Sequence, residues 1–190
     1  RGDGAGMKLW LLRHARVTLE AGLCYGASDV PADPDLTRLA AESAAAVLPH
    51  GLPIRVSDLG RAQQLARALH PLRPDLGAAT TDPRLNEMDF GQWELQRWDA
   101  IPRAAFDTWM ADFAHHRFGG AESTQQIIER VADAMDELRE QSVAEAVWVT
   151  HAGVIRAAQF IATHGRGPIV YARQWPREAP EPGGWMVLTV

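Results

Sequence analysis

The chain has 190 residues, 46% hydrophobic and 23% charged, with a formal net charge of -5. That mixture excludes a disordered chain and suits one compact domain with a sizeable core. An acidic chain is ill suited to gripping a nucleic-acid backbone, and no apolar run approaches the length that crosses a bilayer.

The single cysteine, Cys24, cannot form an internal disulfide, which fits a reducing, cytoplasmic setting. Residues 1–6 read as a Gly-rich leader ahead of a native start at Met7. Residues 7–190 then form one domain, with a helical insert around 96–118.

In chain order, Lys8 to Leu12 is a short apolar run that predicts a buried strand. Asp33 to Leu36 leads into a helix that Thr37 is expected to cap. Its buried face is expected to hold Leu39, Ala40, Ser43, Ala44, Val47 and Leu48. Gly51 and Pro53 end it. Ile54 to Asp58 predicts a second strand, Arg61 to Leu69 a second helix, and Ala78 to Asp82 a third strand. Gln96 to Phe113 has a helical pattern with interleaved aromatics (Trp98, Phe106, Trp109, Phe113). Ser123 to Gln126 reads as a capping box. It opens a helix whose stripe is Ile127, Ile128, Val131, Ala134, Met135 and Leu138. Ala146 to Thr150 predicts a strand, Gly153 to Thr163 a helix, and Trp185 to Val190 a last strand after a proline-rich loop.

This alternation predicts a three-layer α/β/α sandwich with a mostly parallel sheet. Ligands of such folds bind beyond the carboxyl ends of the strands. At those ends stand Arg13-His14, the Ser57 to Arg61 segment, Leu85 to Gly91 with Glu87, and His151-Ala152-Gly153. Two histidines, two arginines and a carboxylate at one sheet edge suit phosphoryl transfer to a side chain. Arginine forks hold a phosphate dianion, and a neutral imidazole is a competent nucleophile. A second, protonated histidine stabilises the equatorial oxygens, and a carboxylic acid protonates the leaving alkoxide. A helix starting after His151 would add its free N–H groups to the same pocket. Arg61 at a helix N-terminus opposes the helix dipole, which suggests a bound anion there.

Four ordered blocks resemble the histidine phosphatase superfamily, in its phosphoglycerate mutase-like branch. They are R-H at 13–14, S-D-L-G-R-A-Q-Q-L-A at 57–66, L-N-E-M-D-F-G-Q-W-E at 85–94 and V-T-H-A-G-V-I-R at 149–156. By position, the resemblance implies that His14 is the phosphorylated nucleophile and Glu87 the proton donor. Arg13, Arg61 and His151 would complete the phosphate pocket. Departures narrow it further. Ala15 replaces the family's usual glycine, Glu20 stands where an asparagine usually helps hold phosphate, and Leu95 replaces a glycine after W-E. The stretch from Gly22 to Pro31 resembles that of α-ribazole phosphatase-like members, and marks Tyr25 and Gly26 as substrate-loop residues.

The expected function is therefore a metal-independent phosphomonoesterase, α-ribazole phosphatase-like, acting on a small phosphorylated metabolite. A phosphoglycerate mutase, a broad-specificity sugar or metabolite phosphatase and a non-catalytic phosphate-binding protein are the alternatives. Arg16 is either a substitute for the missing asparagine or a solvated loop residue. Cys24 reads as a small buried residue, and Trp98, Phe106 and Trp109 as packing of the insert. His115 and His116 are adjacent and cannot clamp a metal together on a helix. Neither a metal nor a cofactor is expected. Oligomeric state is not legible.

Overall fold

The computed structural model describes residues 6–190, so the leader reading falls, apart from Gly6, outside the described residues. Among them the elements are β1 (Lys8–Arg13), α1 (Pro34–Ala45), β2 (Ile54–Val56), α2 (Gly60–Leu69), β3 (Thr80–Thr81), α3 (Arg103–Ala111), α4 (Thr124–Glu140), β4 (Glu145–Thr150), α5 (Ala152–His164) and β5 (Trp185–Thr189). The sheet order is β3-β2-β4-β1-β5. β1, β2, β3 and β4 pair in parallel, and β5 closes the β1 edge antiparallel.

The central strands are apolar on both faces because helices cover both. On β1, Leu9 and Leu11 join the core under α4 and α5, while Leu12 joins the core under α1 and α2. On β4, Ala146 and Trp148 take the first side and Val147 and Val149 the second, the period-two alternation of a strand. The α/β/α layering is as expected. The α4 capping box is also present: Ser123 accepts from the Gln126 N–H and Gln126 from the Ser123 N–H.

Several local readings are corrected. Asp33, not Thr37, caps α1: its carboxylate accepts from the Leu36 N–H at 2.9 Å, with Pro34 in the first turn. Thr37 is inside the helix and buried. The α1 face that packs is Thr37, Ala40, Ala41 and Ala44, while Leu39 and Val47 are exposed. Small alanines let α1 lie close to the sheet beside α2, and the bulkier leucine is left outside. β3 shrinks to an exposed two-residue edge strand. The 96–113 helix is broken by Pro102, which caps α3 and has no N–H to continue a preceding turn.

The insert packs around Phe118, which is fully buried, with the Trp109 ring stacked at 4.5 Å and the Phe106 ring at 5.1 Å between centroids. Leu95 explains one departure from the family pattern. Its φ is +65°, the left-handed region where a glycine is unstrained, and its N–H donates to the Cys24 carbonyl at 2.7 Å. Leu95→Gly should therefore stabilise the fold by about 1 kcal/mol, after the entropy cost of glycine. Thermal unfolding should shift upward by about 2–4 °C. An unchanged or lower midpoint would show that Leu95 packing outweighs its strain.

Candidate active site

Because β1, β2 and β4 are parallel, Arg13-His14, Ser57-Asp58 and His151 emerge at one edge. The His14 and His151 ring centroids are 5.1 Å apart. The proline-rich loop closes over this edge: the Gly183 N–H donates to the His14 carbonyl at 2.8 Å, and Arg13 Nη1 donates to Pro180 O at 2.9 Å.

His14 is buried, and its Nδ1 lies 2.7 Å from the Ala15 carbonyl. A carbonyl only accepts, so Nδ1 carries the proton and Nε2 keeps its lone pair. Burial lowers its pKa to about 3, partly offset by the Ala15 hydrogen bond, with Arg61 and Arg13 lowering it further. The ring is neutral near pH 7, the state a nucleophile requires.

Arg61 is fully buried on α2. Its Nη1 donates to Ser28 O at 2.7 Å and its Nη2 to Gly26 O at 2.5 Å, and its guanidinium lies 5.1 Å from the Tyr25 ring centroid. Its Nε is buried without a partner, as are Arg13 Nε and His151 Nδ1. Unpartnered buried polar atoms at three residues of one sheet edge are costly unless a ligand satisfies them. The start of α2 also holds a carboxylate of this chain. Asp29 sits there, accepting from the Gly60 N–H at 2.7 Å.

Gly26, expected in the substrate loop, has both backbone groups bonded within the protein. It is buried, its N–H donates to both Glu94 oxygens, and its carbonyl holds Arg61. A Cβ there would overlap the Met88 carbonyl and crowd the Phe90 ring. Gly26 is a clamp on Arg61; Tyr25 is half-buried beside the same guanidinium. Glu20 is pulled away from the pocket into an exposed pair with Arg97 at 3.3 Å. Arg16 is exposed and lines a cleft with Ala15, Leu36, Leu39, Glu181 and Gly183.

Glu87 accepts from the Met88 N–H at 2.9 Å and the Gly153 N–H at 3.1 Å. The α5 N–H group expected to face the phosphate thus holds the carboxylate instead. Only glycine permits this, since a Cβ at 153 would overlap the Glu87 carboxylate. Arg130, on α4, fixes the segment from behind by donating to Arg84 O at 2.7 Å and Glu87 O at 3.3 Å. Glu87 opens into a cavity of about 110 Å³ lined by Phe90, Trp109, Phe113, Arg156 and Trp175.

Sequence reasoning missed Ser57, Asn86, Glu94, Arg130 and Arg156 as site residues. All but Arg130 lie inside the family-like blocks, so their signal was present. Arg130 has none, because the site carbonyls it holds are 46 and 43 positions away. Cys24 is buried with its pKa pushed up to about 12 by burial and Glu94, consistent with an inert packing residue. No helix among the described residues is long and apolar enough to cross a membrane.

The model of the histidine phosphatase superfamily (branch 1) matches residues 9–169. This chain belongs to the histidine phosphatase superfamily. The adenosylcobalamin/alpha-ribazole phosphatase of Escherichia coli (strain K12) is 31% identical over 160 residues, covering 78% of this chain and 75% of the relative. A mycobacterial glucosyl-3-phosphoglycerate phosphatase solved with inorganic phosphate superposes with TM-score 0.78 at 25% identity, covering 96% of this chain and 89% of that one. A Thermus thermophilus protein superposes with TM-score 0.71 at 27% identity, covering 96% and 93%. This histidine phosphatase is thus an enzyme, a phosphatase whose sheet edge holds the residues described above.

Proposed function

We propose that the enzyme hydrolyses phosphomonoesters through a phosphohistidine on His14, without a metal ion. The observation that carries this is His14 itself: a buried neutral ring, its Nδ1 proton tied to Ala15 O, beside two guanidiniums with unpartnered Nε atoms. In the first half-reaction the Nε2 lone pair forms the N–P bond as the ester P–O bond breaks. Arg13 and Arg61 supply the positive charge that a dianionic ester requires, and Glu87 gives its proton to the leaving alkoxide. In the second half-reaction the Glu87 carboxylate takes a proton from water, whose oxygen attacks phosphorus. The N–P bond breaks, and inorganic phosphate leaves a free His14.

For the substrate, we favour a phosphomonoester of the α-ribazole type, whose leaving group carries a planar ring. Two observations support it: the identity with the Escherichia coli relative, and the aromatic walls of the cavity beside Glu87. Arg156 in that cavity favours a second reading, an acid-bearing substrate of the phosphoglycerate type. A cytoplasmic location fits the buried, unpaired Cys24.

A metal-free turnover panel of α-ribazole phosphate, phosphoglycerates, sugar phosphates and an aryl phosphate tests both readings. Glu87→Gln should slow alkyl esters by about 10²–10⁴-fold and the aryl ester far less, because its leaving group hardly needs the proton. Gly153→Ala, which displaces the same carboxylate, should show the same split. Equal slowing of alkyl and aryl esters would remove Glu87 from the acid role.

A further inference from the structure

The hydrogen bonds around His151 leave it only one place to take a proton. The Asp58 backbone N–H, which can only donate, reaches Asn86 Oδ1 at 2.8 Å, and this identifies the amide oxygen. Ser57 Oγ lies 2.8 Å from the same oxygen, so the Ser57 hydroxyl proton points to Asn86. Ser57 Oγ must then accept from its other neighbours, the Leu59 N–H at 3.1 Å and His151 Nε2 at 2.8 Å. His151 therefore carries its proton on Nε2. Its Nδ1 is fully buried and has no partner.

In the neutral ring, Nδ1 is a bare lone pair, the wrong polarity for a phosphate oxygen. The groups that face it are cationic or neutral: Arg61 from α2, Arg13 and His14 from the end of β1, and Arg130 from α4. The nearby anion, Glu87, is held on the Gly153 N–H. Burial, reinforced by those cations, keeps the empty-site ring neutral. A dianion among the same groups reverses the local field.

We infer that the Asn86–Ser57 relay locks the His151 tautomer, so that each phosphate dianion binds together with one proton taken from solvent onto Nδ1. Bound phosphate then meets a donor on His151, and release of inorganic phosphate frees the proton again. Ser57 and Asn86 are positioning residues: they act through His151. This rests on the proposed phosphate pocket, but the two fail differently in the test.

Calorimetric titration of the enzyme with inorganic phosphate at about pH 8, where phosphate is mostly the dianion, in buffers of differing ionisation enthalpy counts protons. The expected uptake is about one per phosphate, with affinity falling about tenfold per pH unit above that point. ¹⁵N spectra should show His151 as the neutral Nε2–H tautomer alone and as imidazolium with phosphate. Ser57→Ala frees the ring to carry Nδ1–H while neutral, so uptake should fall well below one. Asn86→Asp keeps the acceptor but adds a charge that protonates His151 beforehand, and should lower uptake as well. A purely structural role would not move this proton count. A neutral His151 in the phosphate complex, or full uptake retained in a folded Ser57→Ala enzyme, would overturn the relay. Failure of phosphate to bind would overturn the pocket and the relay together.

Discussion

His14→Asn should lower phosphomonoester turnover by about 10⁴-fold or more, as removal of a covalent nucleophile does elsewhere. Asparagine suits the test better than alanine because its side-chain amide can donate to the Ala15 carbonyl in place of Nδ1–H. The ring sits at the closed sheet edge with only 2% exposure, so alanine would leave a cavity and an unpaired carbonyl as well. The variant should fold, bind inorganic phosphate through Arg13 and Arg61, and form no acid-labile phosphoenzyme when quenched during turnover. Retention of a labelled phosphoenzyme in His14→Asn would place the covalent step on another residue.

The second large effect is on stability against acid. His14 has its pKa lowered to about 3 by burial first, and His151 is held well below its usual value by burial and by Arg61. In the unfolded chain both rings titrate near ~6.5. Between that value and the folded one, the unfolded state binds protons that the native state does not, so stability falls as pH falls. The buried His14 ring contributes a loss of about 1.4 kcal/mol per pH unit, or about 2 to 3 kcal/mol from pH ~6.5 to ~4.5, and His151 adds to it in the same direction. Asp82 and Glu137, whose pKa values are lowered by their arginine partners, lose stability in the same direction only at lower pH, where carboxylates begin to protonate. Urea midpoints at pH values of about 6.5 and 4.5 should show the full loss in the native enzyme and a clearly smaller one in His14→Asn. A pH-independent midpoint over that range would mean that the two rings are already charged when folded. Saturating phosphate should flatten the native slope, because His151 would then take up its proton in the folded state.

The neutral His14 also separates charge from catalysis at this site. The chain is acidic as a whole, yet the nucleophile stands among guanidiniums that stay charged throughout. Glu87, Glu94 and Asp29 offset the buried Arg61 from the loop side, and their proximity makes such a burial tolerable.

Much of the fold and half of the site's organisation were legible in the residues. Apolar runs ending in Arg13-His14 and Thr150-His151, separated by helical stripes, determine parallel strands whose chemistry falls at one edge. This follows from short-range periodicity and from the right-handed crossover. The capping box at Ser123 is equally local. Boundaries that depend on competition were not legible: Asp33 displaced Thr37 as the α1 cap, and Pro102 split the insert.

Only the tertiary structure decided which hydrogen bond each group makes, because those partners lie far apart in the chain. His151 meets Ser57 across 94 positions, Glu87 meets Gly153 across 66, and Arg61 meets Gly26 across 35. Those contacts make Gly26 a clamp on Arg61, send Glu20 outward to Arg97, and give each histidine its tautomer. Sequence by itself determined that two histidines, two arginines and a glutamate would share a sheet edge. Packing determined which nitrogen of each ring is free to act, since a proton's position is set by the neighbour that accepts it.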